Sequence, residues 1–152
     1  MNEGNRVRAT HDSVYTIGIA SRLAGVPISV IREYESWGLV IPHVTKTNRR
    51  VFSDVDISNL GHLRRLQSEY RLTLASLRFL VSLLPCWLLR PGCSEEESRR
   101  CGKTRAPGTP CWEFKVKADP GGREQCRRCR TYSEVSSLEK YQELIRSLFG
   151  GR

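Results

Sequence analysis

Hydrophobic residues recur every three or four positions in two short runs near the start of the chain, a spacing typical of amphipathic helices. The first run lies between Thr16, a candidate N-cap, and Gly25, which is predicted to end it. The second run is predicted as a helix over Pro27–Trp37, with Gly38 directly after it. Two short helices joined by a glycine-containing turn predict a helix-turn-helix unit.

A small β-wing and two further helices are predicted next. The stretch Leu39–Phe52 is polar at its centre and bounded by β-branched residues, so it predicts two strands with Thr45–Arg49 at their tip. Ser53 then begins a third helix, with the carboxylate of Asp56 placed to complete a capping box. A fourth helix is predicted to start after Thr73. The first half is therefore predicted to be mainly helical with a wing.

The composition changes sharply after residue 84. The following segment is rich in Pro, Gly, Cys, Arg and Glu, and it holds all six cysteines but too few aliphatic residues for an ordinary core. Apolar residues return at helical spacing near the end of the chain, where the stripe Leu138, Tyr141, Ile145 and Leu148 predicts a short dimerisation helix. Packing of this helix on its own subunit is the alternative. The predicted organisation is a flexible tail at 1–14, a winged helix-turn-helix domain at 15–84, an irregular cysteine-rich segment at 85–132 and a C-terminal amphipathic helix at 133–152.

The charge balance favours a polyanionic partner. The chain has 25 Lys and Arg residues against 16 Asp and Glu residues, a net charge of +9, which is typical of proteins that bind nucleic acid. No apolar run approaches the roughly eighteen residues of a membrane span, and no signal peptide is evident, so we expect a cytoplasmic protein without a membrane partner. No nucleophile triad, phosphate loop or paired-carboxylate pattern indicates catalysis, so an enzyme is not predicted.

Several short motifs occur in a fixed order in the first half. They are "YTIG" at the first helix, "GV" at the turn, "REYESWGL" in the second helix, "RVFS" in the wing and "DI" at the third helix. In this order they resemble the MerR family of bacterial transcription regulators. The recognition helix should place Ser29 and Arg32 near the bases. The resemblance implies that Arg32 and Tyr34 bind double-stranded promoter DNA, and that Arg49 and Arg50 bind phosphates from the wing.

The same resemblance implies a homodimer that distorts promoter DNA so that RNA polymerase can engage it.

Other side chains have simpler interpretations. Trp37 is expected in the core, core packing is the alternative for Tyr34, and Glu35 is expected as a charge on the helix surface. Trp112 is expected to pack within the cysteine-rich segment, with shielding of a cluster from water as the alternative.

The cysteines suggest a metal or cluster site. The pair Cys126-x-x-Cys129 lets two thiolates reach one metal from a single turn, which is half of a zinc or iron–sulfur site. A second such pair is absent, and the other cysteines are scattered. The arginines beside Cys126 are expected to stabilise its thiolate. The candidate ligands are Cys93, Cys101, Cys111, Cys126 and Cys129.

The sequence therefore predicts a DNA-binding transcription regulator that senses redox state or metal through a cysteine-ligated iron–sulfur cluster. Zinc, either structural or sensed, is the alternative ligand, and thiol/disulfide switching is a third possibility. An alternative of another class is a protein–protein adaptor that uses the cysteine module. The sequence does not specify which four cysteines ligate, the operator, the target genes, the signal, or whether the regulator activates or represses.

Overall fold

The structure, a computed structural model, describes residues 11–84, 108–113, 121–140 and 143. Its elements in chain order are β1 (Ser13–Thr16), α1 (Ile17–Ala24), α2 (Ile28–Ser36), β2 (His43–Val44), β3 (Arg50–Ser53), α3 (Asp54–Glu69), α4 (Leu74–Ser82), α5 (Gly122–Arg127), α6 (Arg130–Ser133) and a 3-10 helix at Glu134–Lys140. A helical turn at 111–113 lies between α4 and α5. Within these ranges, no helix has both the length and the apolar character needed to cross a membrane.

The first two helices begin and end within one residue of their predicted bounds. Thr16 is the N-cap of α1, and Gly25 follows its last residue in the left-handed conformation, with φ at 67°. Pro27 is the N-cap of α2 instead of its first residue. Gly38, with φ at 68°, turns the chain away from α2. The predicted helix-turn-helix unit is confirmed.

The wing belongs to a three-stranded antiparallel sheet with the strand order β1-β3-β2. At its tip the Thr45 N–H donates to the Arg49 carbonyl oxygen at 2.9 Å, and Asn48 adopts a positive φ of 60°. The third strand, β1, corrects the prediction that residues 13–14 belong to a flexible tail. A strand of four residues carries too little periodicity to be recognised without its partner, β3.

Side-chain caps fix the starts of the third and fourth helices. The Ser53 N–H donates to the Asp56 Oδ2 at 2.7 Å, and the Asp56 N–H donates to the Ser53 Oγ at 3.2 Å. The Thr73 Oγ1 accepts a hydrogen bond of 3.1 Å from the Ser76 N–H at the start of α4. Both predicted helix starts are confirmed because their signals are local in sequence.

One hydrophobic cluster includes residues from both halves of the chain. It joins the helix-turn-helix, β3, α3 and α4 to Trp112, Cys126, Tyr132 and Val135. The ring of Trp112 is buried edge-on against the ring of Tyr132, with centroids 5.3 Å apart and planes at 86°. The described parts of the C-terminal half therefore share the core of the first half. Trp112, expected to pack within the cysteine-rich segment, packs into this shared core, against Tyr132 of that segment.

The structure bears on two predictions for the C-terminal half. The segment expected to be irregular contains α5, α6 and the turn at 111–113 in its described parts. The terminal helix starts as a 3-10 helix, whose Val135 is fully buried in the core of the same chain, with Leu138 packed against it. Leu138, the first residue of the predicted dimer stripe, is thus partly buried against the core of its own chain. The other stripe residues, Tyr141, Ile145 and Leu148, lie outside the described residues.

Candidate nucleic-acid interface

An open cleft of about 780 Å³ lies between α2 and the wing. It is lined by Thr16, Ile17, Arg32, Glu35, Ser36, Arg49, Arg50, Val51 and Arg123. Four of these nine residues are arginines and one is a glutamate, so the cleft is strongly basic. A basic surface between an exposed helix and a wing is suited to a polyanion.

The outward face of α2 carries two of the predicted DNA-binding residues. Ser29 and Arg32 are both exposed, whereas Ile31 on the opposite face is fully buried. This division follows from the helical period of 3.6 residues, which places neighbouring residues on different faces. Within the described ranges, the guanidinium of Arg32 has no acidic partner, so its charge is available to a ligand.

Tyr34 lies on the buried face of α2, which corrects its predicted role in DNA binding. The residue is 0% exposed, and its hydroxyl donates to the Gln67 Oε1 on α3 at 2.8 Å. Burial raises the pKa of the Tyr34 phenol, although the positive charge of Arg64 acts in the opposite direction. Tyr34 therefore fixes α2 against α3. Trp37, expected in the core, is instead 38% exposed, because the chain turns away at the end of α2.

The two wing arginines occupy different settings. Arg49 is exposed and, among the residues described, has no side-chain partner. The Nε of Arg50 donates to both carboxylate oxygens of Glu35, at 2.6 and 2.8 Å. This pair joins β3 to α2 and holds the Arg50 side chain at the edge of the cleft. Glu35, expected to be an ordinary surface charge, is therefore a positioning residue.

The segment Pro110-Cys111-Trp112 packs against the end of α2. The indole N–H of Trp112 donates to the Gly38 carbonyl oxygen at 2.7 Å. Glu113 forms a bidentate ion pair with Arg78 of α4, in which the Nη2–Oε2 distance is 2.9 Å. Arg78 also donates to the Trp37 carbonyl oxygen at 2.7 Å. Residues 111–113 therefore hold the C-terminal end of the recognition helix.

A buried polar network joins the C-terminal half to the base of the wing. Arg127, 2% exposed, donates to the Asp56 Oδ2 at 3.1 Å, and also to the Ile41 carbonyl oxygen and the Ser13 hydroxyl. The Tyr132 hydroxyl donates to the other Asp56 oxygen at 2.5 Å and accepts a hydrogen bond of 3.1 Å from the Ile41 N–H. Because Asp56 also caps α3, one carboxylate connects three parts of the fold.

Burial is the main reason why the pKa of Tyr132 is raised well above its usual value of 10.0. The neighbouring Asp56 carboxylate raises this pKa further, because it repels a phenolate and accepts the phenol proton. Tyr132 is therefore a neutral hydrogen-bond donor in the folded protein at any ordinary pH.

The Cys126–Cys129 pair lies next to this network. Cys126 is buried, Cys129 is partly buried, and the Cys129 N–H donates to the Cys126 carbonyl oxygen at 3.1 Å. The expectation that the adjacent arginines stabilise a thiolate stays a prediction, and the guanidinium of Arg127 is bound to the Asp56 network. Arg128 is exposed and lies 3.7 Å from Asp12.

Only part of the predicted ligand set lies within the described residues. Cys111, Cys126 and Cys129 lie within the described residues, whereas Cys93 and Cys101 lie outside them. In the part of the chain that the structure describes, no group of three or more His, Cys, Asp or Glu side chains is placed to hold a metal. A complete thiolate site would therefore require ligands from residues 85–107.

Comparison with known proteins identifies the first half. Residues 15–83 match a family described as the MerR HTH family regulatory protein. These residues form a MerR helix-turn-helix domain. The resemblance found in the sequence motifs is confirmed. The matched family consists of regulatory proteins, in agreement with the prediction that the chain is not an enzyme.

Two curated proteins are similar to this chain in the MerR domain and beyond. The "Putative heat shock protein HspR" of Streptomyces coelicolor is 31% identical over 80 residues, covering 52% of this chain and 53% of the relative. The "HTH-type transcriptional repressor CarH" of Myxococcus xanthus is 37% identical over 142 residues, covering 90% of this chain and 46% of the relative. The chain thus spans about half the length of the curated relatives it matches. No solved structure matches it.

Three residues around the MerR domain were missed by sequence reasoning. Glu35 positions Arg50, Arg127 binds Asp56, and Arg123 lines the cleft from α5. Arg123 and Arg127 are distant in sequence from the residues they join, and no local motif distinguishes them from the other arginines of a basic chain.

Proposed function

We propose that the chain is a cytoplasmic transcription regulator that binds double-stranded promoter DNA through its MerR domain. The observation that carries the proposal is the cleft, where the exposed guanidinium groups of Arg32 and Arg49 have no partner in the described structure. Cations on a helix and a wing can bind successive phosphates, while a helix residue such as Ser29 reads base edges. Arg50, held by Glu35, supplies a third cation at the same surface.

The proposed active species is a homodimer. Two copies related by twofold symmetry would bind two half-sites, so the operator should be a palindrome. RNA polymerase would be an indirect partner, engaged when the protein distorts promoter DNA. Such a distortion costs on the order of a few kcal/mol, which is within the range of coupling between a ligand and a conformational change.

We further propose that the cysteine-rich half senses redox state or metal through an iron–sulfur cluster, with zinc as the alternative. Cys126 and Cys129, one helical turn apart, would supply two thiolates, and the others would come from Cys93, Cys101 and Cys111. A bound cluster would supply a centre that changes its charge on reduction. Transmission of that change to the DNA would depend on residues of the chain itself.

The route from this site to DNA would pass through Arg127. It lies between the two cysteines in sequence and binds the Ile41 carbonyl oxygen, two residues before β2, as well as the cap of α3. Any displacement of the Cys126–Cys129 turn therefore moves a side chain that supports the wing. A shift of the wing relative to α2 would change which phosphates the two elements can contact at the same time.

The DNA-binding part is tested with the full chain and a duplex selected from a random-sequence pool. Because phosphate contacts release counterions, the affinity should fall steeply as salt rises, and Arg32→Ala should lower it. Weak binding with little salt dependence would contradict the proposal and favour the adaptor hypothesis.

The sensor part is tested by measuring iron, zinc and acid-labile sulfide in protein purified without oxygen. Iron with matching sulfide is expected, and zinc without sulfide would replace the cluster by the alternative ligand. The double substitution Cys126→Ser with Cys129→Ser should remove the metal and its effect on DNA binding. Cys86→Ser is the matched control, because Cys86 is not among the predicted ligands. A double variant that responds like the wild type would contradict the proposal.

A further inference from the structure

Arg123 belongs to the cysteine-rich half but lines the cleft of the MerR domain. It lies in α5, which is anchored to the start of α3 and to the wing strand β2. Arg127, at the end of the same helix, is bound to Asp56, and Glu124 pairs with His43 of β2 at 2.5 Å. These contacts place Arg123 at the cleft, together with Arg32 of α2 and the wing arginines Arg49 and Arg50.

Arg123 differs from the arginines that follow it in the same segment. Arg127 is bound within the buried network, Arg128 lies 3.7 Å from Asp12, and Arg130 lies 3.4 Å from Glu134. The Nε of Arg123 is buried, yet within the described residues it has no hydrogen-bond acceptor. A buried N–H without an acceptor is unfavourable, so an oxygen supplied from outside the chain would be stabilised there.

The other groups in the cleft indicate what kind of ligand supplies that oxygen. Among the described residues that line it, Glu35 is the only carboxylate, and it is already bound to Arg50. The positive charges of Arg32, Arg49 and Arg123 are therefore left uncompensated in the described structure. Three guanidinium groups around an open cleft match an extended anion with several separate charges, such as a nucleic-acid backbone.

We propose that Arg123 contacts a backbone phosphate of the operator, so that the cysteine-rich half touches DNA directly. This inference rests on the proposed function and deepens it. Arg123 precedes Cys126 by three residues in one helix, which places the two side chains on neighbouring positions of its surface. A structural change at Cys126 and Cys129 would then alter the contact between Arg123 and the phosphate directly, with no movement of the wing required.

The test compares Arg123→Ala with Arg128→Ala in the full chain, on a duplex selected by the wild type from a random pool. Arg128 is the matched control, since it is exposed and does not line the cleft. Loss of one phosphate contact should lower the DNA affinity of Arg123→Ala about three- to tenfold. It should also reduce the slope of log affinity against log salt by about one. The DNA affinity of Arg128→Ala should stay within about twofold of that of the wild type, because solvent and salt screen an exposed surface charge.

Two further measurements separate a charge contact from a structural role. Arg123→Lys keeps the charge and should retain most of the affinity. Replacing single phosphates by neutral methylphosphonates should identify one position that weakens the wild type but has no added effect on Arg123→Ala. Equal losses for Arg123→Lys and Arg123→Ala, with a lowered melting temperature for both, would overturn the inference.

Arg49→Ala distinguishes failure of this inference from failure of the proposed function. If Arg49→Ala weakens binding while Arg123→Ala binds like the wild type, the inference is overturned and the proposed function stands. If the wild type shows no salt-dependent binding to any duplex, the proposed function itself fails.

Discussion

Arg49 and Arg127 have the same side chain but lie in opposite environments. Arg49, at the tip of the wing, is exposed and has no side-chain partner within the described residues. Arg127, in the C-terminal half, is 2% exposed and bonded to Asp56, Ile41 and Ser13. A buried guanidinium requires acceptors from the protein and so fixes the fold, whereas an exposed one stays hydrated and remains available to a ligand.

The same contrast holds between the cleft, where Arg49 lies, and the contact between the two halves, where Arg127 lies. The cleft keeps cations apart from carboxylates, except for the Arg50–Glu35 pair, and is suited to binding. Across the contact between the two halves, Arg127 is paired with Asp56 and Arg78 with Glu113, so this contact is suited to stability. Substitutions on the two surfaces should therefore affect different measurements.

The largest effect is expected for Arg127→Ala. Removing one partner of a buried ion pair leaves the Asp56 carboxylate buried without its cation, which costs about 3–5 kcal/mol of unfolding free energy. Arg49→Ala should change the unfolding free energy by less than about 0.5 kcal/mol, as exposed substitutions usually do. Urea denaturation of both variants measures the difference. Similar stabilities for the two variants would break the comparison.

A smaller effect is expected where residues 111–113 contact α2. Gly25 and Gly38 have nearly the same positive φ, 67° and 68°, so alanine at either costs about 1–2 kcal/mol in backbone strain. A Cβ on Gly38 would also overlap the Glu113 carboxylate, whereas nothing lies within 4 Å of one on Gly25. Gly38→Ala should therefore be more destabilising than Gly25→Ala by about 1 kcal/mol or more.

A double-mutant cycle identifies the source of that difference. In a Glu113→Ala background, the cost of Gly38→Ala should fall to that of Gly25→Ala, because the overlapping group is gone. An unchanged excess would show that the contact between the halves does not restrict the end of the recognition helix.

The smallest effect is expected at high pH. Because the folded-state pKa of Tyr132 lies well above 10.0, the folded protein keeps a proton that the unfolded chain loses near pH 10. This stabilisation is fully present below pH 10 and is lost as pH rises towards the folded-state pKa, by up to about 1.4 kcal/mol per pH unit. Tyr132→Phe should remove this slope.

The measurement is the urea midpoint of the wild type and Tyr132→Phe across pH 8.5 to about 11, a window around the tyrosine reference pKa. The raised pKa values of Tyr15 and Tyr34 are present in both proteins and cancel in the difference. Parallel curves for the two proteins would mean that Tyr132 in the buried network does not cause the loss of stability at high pH.

Sequence reasoning succeeded where a feature depends on neighbours a few residues apart. The capping box of Ser53 and Asp56 and the turn at Gly25 were found in this way, and the ordered motifs identified the MerR domain. It failed for Tyr34, which the resemblance placed at the DNA. The helical period puts Tyr34 on the same face as Ile31, and packing against α3 decided that this face is buried.

The sequence by itself determined the helix-turn-helix, the wing and the basic character of the chain, because capping, periodicity and charge are local or additive properties. Only the tertiary structure decided which arginines bind the protein and which remain available. Arg127 meets Asp56 across 71 residues, and the Tyr132 hydroxyl meets Ile41 across 91. Such pairs form only when the whole chain folds, because the burial that makes a charge require a partner does not exist in any short segment.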